Sequence, residues 1–393
     1  MAKFIKPIRG TDQQYFACTA CRDPKDCPFR LKCGEKFSAT KIRALSDAKR
    51  RLAPNLSHSE AVELLIKFKK LKVNKRGFCR SCFMLVFPET CSEHTGHNII
   101  QKVSNEMLSH PSQFVLAKTN DKLEAQYWFN EETKGFILSL IEKLESSSVL
   151  CIGAPTVFEI VRSIGIRCLM LDIDSRYMTF YNKEEFGWFN MLNFHFLTDE
   201  SVGFDSLKKT ISTGKVLVIL DPPFGARLEL LAYSINRISS LCSGKCMVFL
   251  VLPYFMEPQV TKYLPDFQML DYVVHYTNHS KMKSHKKSAV RFFTNVPPSS
   301  IRLPHSEGYK FCEKCNCWRH PNNVHCDICG TCPAKNASTY KHCSSCNLCV
   351  KSTWCHCDSC DRCFLSPHKC SEKPSSKRAI IIEGRSRKKK KMF

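Results

Sequence analysis

A chain of 393 residues in which 59 lysines and arginines stand against 36 aspartates and glutamates carries a formal charge of +23. That length allows two or three domains with a real core, and the charge favours a polyanionic partner bound in a salt-sensitive way. With no run of about 18 apolar residues and no apolar signal segment in the start MAKFIKPIRG, the expectation is a soluble protein of a reducing compartment with no membrane contact, in which 25 cysteines are better explained by metal than by disulfides.

In chain order, residues 1–40 hold Cys18, Cys21, Cys27 and Cys33 in an aromatic, basic context, four thiols that suffice for one zinc ion. Residues 40–76 read as helix, with Ala61 to Ile66 among Lys67, Lys69, Lys70, Lys72, Lys75 and Arg76. Cys79-x2-Cys82 is then followed by His94-x2-His97, a common tetrahedral zinc set, with Cys91 as an alternative to one histidine. Residues 126–300 change character: cysteines become sparse, and strand-like and helix-like segments alternate. Asn130-Glu131-Glu132 opens a helix, and 148–152 and 167–171 read as strands with a helix from Val157 to Ile164 between them. Further strands are expected at 216–220, 246–252, 267–275 and 290–296, so the pattern is that of a parallel, doubly wound α/β sheet.

The five apolar residues 216–220 form a strand buried on both faces, and they deliver Asp221-Pro222-Pro223-Phe224 to its carboxyl end, where such sheets bind ligands. The Asp221 carboxylate and the Pro222 carbonyl can accept hydrogen bonds from an amino group. The prolines fix the backbone, and Phe224 offers a face for a flat ring. Gly153, followed by Ala154 and Pro155, ends the first strand, and Asp172 ends the second about 19 residues later, the relation that holds an adenosine ribose. With a single glycine the G-x-G-x-x-G dinucleotide fingerprint is absent, which disfavours NAD and suits S-adenosylmethionine, a ligand with no pyrophosphate to cradle. Asn193 and Phe194 end a third strand-like stretch and are placed to read adenine. Gln126 and Tyr127, just ahead of the first helix, are placed at the methionine end. Between the last two strands, Ser280 to Lys287 is lysine-rich: a solvated loop, a track for substrate phosphates or a lid over the pocket.

Residues 312–370 contain 14 cysteines and five histidines, and the unit H-C-x2-C-x2-C occurs three times, starting at His325, His342 and His356. An overlapping partition gives four sets of three thiolates and one imidazole, as closed structural zinc sites prefer. They are Cys312, Cys315, His325, Cys332; Cys326, Cys329, His342, Cys349; Cys343, Cys346, His356, Cys363; and Cys357, Cys360, His368, Cys370. Cys317, His320 and Cys355 are left over. With so few large apolar residues, this segment is expected to depend on metal for its fold. Residues 371–393 form a polar tail ending in Arg385-Ser386-Arg387 and four lysines.

On these residues, 126–300 resembles the class I S-adenosylmethionine-dependent methyltransferases, and Asp221-Pro222-Pro223-Phe224 matches their (D/N)PP(F/Y/W) motif for amino groups. The resemblance implies that Asp221 and Pro222 hold an exocyclic amine while Phe224 stacks on the base. The cysteine repeat resembles the cysteine-rich domain of DHHC palmitoyltransferases. Neither Tyr340-Lys341-His342-Cys343 nor Trp354-Cys355-His356-Cys357 keeps the Asp-His pair, so acyl transfer is rejected. The whole order resembles the CCHC-zinc-finger ribosomal RNA adenine-N6-methyltransferases of animals. That family opens with a GRF-type finger, and by its pattern Cys18 and Cys27 are the second half of a finger whose Cys-x-His half has no counterpart before Cys18.

The resemblance implies a Rossmann-like class I methyltransferase sheet flanked by zinc modules. Its parts are a partial GRF-type finger (1–40), a basic helical linker with a C2H2-type finger (41–115), the methyltransferase domain (116–305), a DHHC/CCHC-like multi-zinc module (306–371) and a basic tail (372–393). It further implies S-adenosylmethionine and zinc as cofactors and large-subunit ribosomal RNA as substrate. Ribosome-assembly or RNA-binding proteins follow as further partners, and the nucleus or nucleolus as location, with the cytoplasm beside them; oligomeric state stays open. Two other readings share the motif or the composition: a guanine-N2 or protein-glutamine methyltransferase, and a non-catalytic zinc-rich RNA-binding protein.

Overall fold

The computed structural model describes residues 4–7, 14–17, 29–52, 54, 56–117, 126–197, 200–212, 214–278, 288–365, 368 and 370. Cys18, Cys27, the lysine-rich residues 280–287 and the tail from 371 lie outside the described residues.

Five all-apolar or nearly apolar strands build the centre. An eight-stranded sheet runs in the order β10-β9-β8-β7-β11-β12-β14-β13. Its strands are β7 (Ser148–Ile152), β8 (Arg167–Asp172), β9 (Phe186–Asn190), β10 (His195–Phe196), β11 (Val216–Leu220), β12 (Cys246–Pro253), β13 (Gln268–Met269) and β14 (Val290–Thr294). β9, β8, β7, β11 and β12 are parallel neighbours, whereas β14 runs antiparallel to β12 and β13, and β10 to β9. Every residue of β7 and β11 is buried, which is why these strands carry no polar alternation. One face is covered by α4 (Glu131–Lys143) and α5 (Pro155–Ser163), through Phe136, Ile137, Leu140, Val157 and Phe158. The other is covered by α6 (Glu200–Ile211), α7 (Leu228–Leu241) and α8 (Glu257–Tyr263), through Leu207, Leu231, Ile235 and Val260. Among the described residues no helix is long and apolar enough to cross a membrane.

Two expected elements differ. The helical stretch 40–76 is broken into α1 (Ala39–Leu52) and α2 (His58–Lys70), with Pro54 in the break and Ser57 and Glu60 forming a capping box that starts the second helix. The expected strand 267–275 shrinks to β13. Beyond it, Leu270 N–H still donates to Phe292 O (2.9 Å) and Val274 N–H to Val290 O (3.1 Å), so four residues advance against two. The intervening Val273 N–H points out of the ladder and donates to the Tyr309 hydroxyl at 2.9 Å.

The chain divides into two compact units, Met1–Pro321 with Lys335–Ala337, and Asn322–Ala334 with Ser338–Phe393. Within the first, the Cys79/His97 finger shares one apolar core with the sheet. Phe78, on β4 (Gly77–Cys79), meets Phe114 (ring centroids 5.0 Å) and Phe180 (5.7 Å). A buried polar contact adds to this. Ser112 donates from its backbone N–H (2.8 Å) and its hydroxyl to the carboxylate of Glu159 on α5. Burial pushes the Glu159 carboxyl up to about 7, the Ser112 bonds offsetting only part of the cost. A raised native pKa means that this group's contribution to stability is fully present below about 4.5 and is lost as pH rises through about 7. Glu159→Gln, neutral throughout, is therefore expected to gain stability relative to the parent as pH rises from 5 to 8. The gain approaches ~3 kcal/mol and is read as a pH-dependent difference in denaturation midpoint.

Candidate active site and metal centres

The parallel strands end in one cleft. Its lining includes Gln126, Tyr127, Gly153, Pro155, Asp172, Asp221, Pro222, Pro223 and Phe224, so most of the residues singled out from the sequence converge. Backbone hydrogen bonds set the spacing: Asp221 N–H donates to Ile152 O and Gly153 N–H to Leu171 O, both at 3.0 Å. Gly153 sits at φ +66, and a β-carbon there would stand 2.8 Å from the Asp221 carbonyl oxygen and 2.9 Å from Met191 Cε. Only glycine allows this left-handed turn and this close approach of two strand ends.

Asp221 Oδ1 accepts a hydrogen bond from the Tyr276 hydroxyl at 3.0 Å. Burial pushes the Asp221 carboxyl well above the usual carboxylate range; the Tyr276 bond pulls the other way, and the charge of Asp172 adds to the rise. Tyr276 arrives through a strap. Trp128 N–H donates to Asn278 Oδ1 (2.9 Å), Asn278 Nδ2 to Gln126 O (2.9 Å) and Thr277 N–H to Trp128 O (2.8 Å), which binds 126–130 to 276–278. The strap surrounds the motif with rings. Tyr127 and Phe224 lie nearly parallel with centroids 6.1 Å apart, and Tyr276 stacks on Phe129 at 5.1 Å.

At the β8 end, buried Asp172 accepts from the Asp174 backbone N–H at 2.8 Å. Asp174, also buried, accepts from Arg176 Nε and Nη2 (2.7–2.9 Å) and from Gln126 Nε2 (2.8 Å). Gln126 is thus held in the cleft by a charged network.

Three expected residues do not line the cleft. Ala154 is buried at the start of α5. Phe194 has φ +51 and turns its ring into the core with Phe189, Phe196 and Phe204, with Arg237 4.2 Å above it. Asn193 lies in the same turn, its Oδ1 buried without a partner. Conversely, the cleft is lined by Asp174 and Met191, and Asp221 is held by the buried Tyr276, none of which sequence reasoning singled out as site residues. Asp174 was visible as the second acid after β8; Tyr276 had no local signal.

The finger and the cysteine repeat place thiols and imidazoles at ligand distances. Cys79, Cys82, His94 and His97 present ligand atoms all within 4.8 Å of one another. Cys82 Sγ is 3.2 Å and Cys79 Sγ 3.6 Å from His97 Nδ1, close to the edge of a tetrahedron around zinc. His94 Nδ1 is buried without a hydrogen-bond partner, a cost that a metal ligand would remove. Exposed Cys91 stands outside this set.

In the second unit, Cys326, Cys329, His342 and Cys349 form one set, Cys343, Cys346, His356 and Cys363 the next, and Cys357, Cys360, His368 and Cys370 a third. Strand alternation explains the overlap. On β17 (Tyr340–Cys343), paired with β18 (Leu348–Lys351), His342 and Cys343 project to opposite faces and so serve successive sets. β19 (Trp354–Cys357) and β20 (Arg362–Leu365) repeat this with His356 and Cys357. In the C-terminal cysteine repeat the residue after Cys315, Cys329, Cys346 and Cys360 lies in the left-handed region: Asn316, Gly330, Asn347 and Asp361, with φ between 48 and 62. These are the residue types that tolerate it. The two halves of the remaining predicted set fall in different units. Cys312 and Cys315 lie on the β15–β16 hairpin (Lys310–Cys312, Cys317–Arg319), whereas His325 and Cys332 approach each other to 3.9 Å.

Residues 120–297 match the family model described as "Probable N6-adenine methyltransferase". The protein curated as rRNA N(6)-adenosine-methyltransferase ZCCHC4 in Homo sapiens is 35% identical over 358 residues, covering 85% of this chain and 70% of that protein. Its Xenopus laevis counterpart is 37% identical over 345 residues, covering 82% and 70%. A solved S-adenosylmethionine-dependent methyltransferase from Anabaena variabilis aligns over 48% of this chain and 91% of its own, with 13% identity and a TM-score of 0.29.

Proposed function

The chain belongs to the family of rRNA N6-adenosine methyltransferases, and from that premise we propose that it methylates N6 of an adenosine in the RNA of the large ribosomal subunit. The observation that carries the site assignment is the placement of Asp221-Pro222-Pro223-Phe224 at the β11 end, against Gly153, with Asp221 gripped by Tyr276. S-adenosylmethionine is the methyl donor, and when bound it supplies a methyl group already activated on its sulfonium. The residues present fit it. Gly153 leaves backbone where a side chain would intrude, and Asp172 offers carboxylate oxygen to ribose hydroxyls. Gln126, held by Asp174 and Arg176, lines the same cleft.

The target nitrogen is a weak nucleophile because its lone pair is delocalised into the ring. Asp221 and the Pro222 carbonyl accept its two N–H bonds and so favour a more tetrahedral nitrogen with a localised lone pair. Phe224 holds the ring by stacking, which requires an unpaired or flipped-out adenosine. No strong base is needed, since the proton can leave during or after transfer. The Tyr276 hydrogen bond favours the ionised, accepting form of Asp221, against the burial that raises its pKa. Tyr276→Phe is expected to raise the Asp221 pKa further, moving the acid limb of the kcat/KM profile to higher pH, with little change on the plateau above it.

The zinc sets fit zinc by ligand type and spacing, and on this reading the zinc modules and the basic helices α1 and α2 each supply affinity for RNA. The basic tail suits a nuclear or nucleolar address. The substrate assignment is tested by offering separated large- and small-subunit RNA from cells lacking the enzyme together with labelled cofactor. Label confined to large-subunit RNA is expected; equal label in both, or label in small-subunit RNA alone, rejects it.

A further inference from the structure

β12 is the parallel neighbour of β11, and both strands leave the sheet at the same edge. Where β11 continues into Asp221–Phe224, β12 runs through Pro253 into a single helical turn, Tyr254–Met256. The second residue of that turn, Phe255, is 62% exposed, with its ring edge-on to Tyr254 at 5.7 Å. Its backbone is well fixed: Pro253 sets the entry, and Tyr254 N–H donates to Ala289 O at 2.8 Å. The nearest acid in sequence, Glu257, is paired with Lys335, which removes a charge that would repel phosphate.

We propose that Phe255 is a stacking platform for the nucleotide adjoining the target adenosine, so that the enzyme reads a short single-stranded segment and not an isolated base. The inference rests on the methyltransferase reading above. Neighbouring strands lie ~4.8 Å apart, so the segments that continue from β11 and β12 leave the sheet at a separation that one nucleotide step can bridge. A target that is unpaired leaves its neighbours with open faces, and a rigid, solvent-exposed aromatic ring is the surface on which such bases stack without regard to sequence. The same exposure means that the fold does not need this ring for its core.

Phe255→Ala is expected to lower kcat/KM on ribosomal RNA about tenfold, chiefly through KM, with cofactor affinity and melting temperature unchanged. Phe255→Trp should retain activity. Ile164→Ala, which trims an apolar residue 53% exposed at the end of α5 on the opposite edge of the sheet, should have no effect. With 2-aminopurine placed beside the target adenosine, the parent and the Trp variant should quench its fluorescence on binding, and the Ala variant should not. Unchanged kinetics in Phe255→Ala would overturn the proposal, as would absence of quenching by the parent enzyme on either side of the target. A parent enzyme that leaves ribosomal RNA unmethylated would instead overturn the functional reading itself, and this inference with it.

Discussion

Asp221→Ala is expected to lower kcat by at least about 10²–10³-fold, the scale seen when one preorganised group facing the developing charge is removed. The fold and the metal content should stay intact. The loss follows from the geometry, because among the described residues no other side chain lining the cleft has a carboxylate at the β11 end, opposite Gly153. Stability should move the other way. Burial holds the Asp221 carboxyl well above its ordinary value, so the ionised form costs native stability. The contribution of the neutral acid is present below the usual carboxylate range and is lost as pH rises through the raised pKa. Asp221→Asn, neutral throughout and still able to accept from Tyr276, should therefore melt no lower than the parent at neutral pH. It should also lack the parent's acid limb in kcat/KM. A variant that melts well below the parent would show that the carboxylate is structural.

Stripping metal is expected to have the second-largest effect. Among the described residues of the second unit only a handful are buried, Cys332, Ala334 and Cys363 among them, and this is too little apolar surface to order the chain. What converges there instead is three sets of thiols and imidazoles, carried by hairpins with Asn347 and Asp361 in their turns. Apparent zinc affinities of structural sites are on the order of 10–16 kcal/mol, and for such segments they are folding energy. A strong chelator should abolish the hydrogen-exchange protection of the β17–β18 and β19–β20 hairpins while the eight-stranded sheet, with its own core, remains protected. Cys346→Ala, which removes one ligand of the middle set, should lower the zinc count of the intact chain by about one. Protection unchanged by chelation would contradict a metal-held module.

The strands and the motif were legible because their signals are local. Buried parallel strands such as 216–220 read as unbroken apolar runs, and Asp221–Phe224 is contiguous. The repeat was legible because a hairpin's alternation imposes a fixed spacing of histidine and cysteine. Long-range contacts left no such trace. Tyr276 reaches Asp221 across 55 positions, brought there by a strap whose partners lie about 150 residues apart in the chain. Phe194 was expected at adenine because it follows a strand-like stretch, but its left-handed backbone sends the ring into the core. The strand expected at 267–275 ends at Met269, beyond which four residues advance against two and the Val273 N–H is satisfied by the Tyr309 hydroxyl, 36 positions away.

The most direct test of the account is to incubate the parent and Asp221→Ala proteins with ribosomal RNA and labelled S-adenosylmethionine, digest the RNA and identify the methylated nucleoside. The account predicts N6-methyladenosine from the parent and none from the variant. Label in N2-methylguanosine or in protein glutamine, or N6-methyladenosine formed equally by Asp221→Ala, would contradict it.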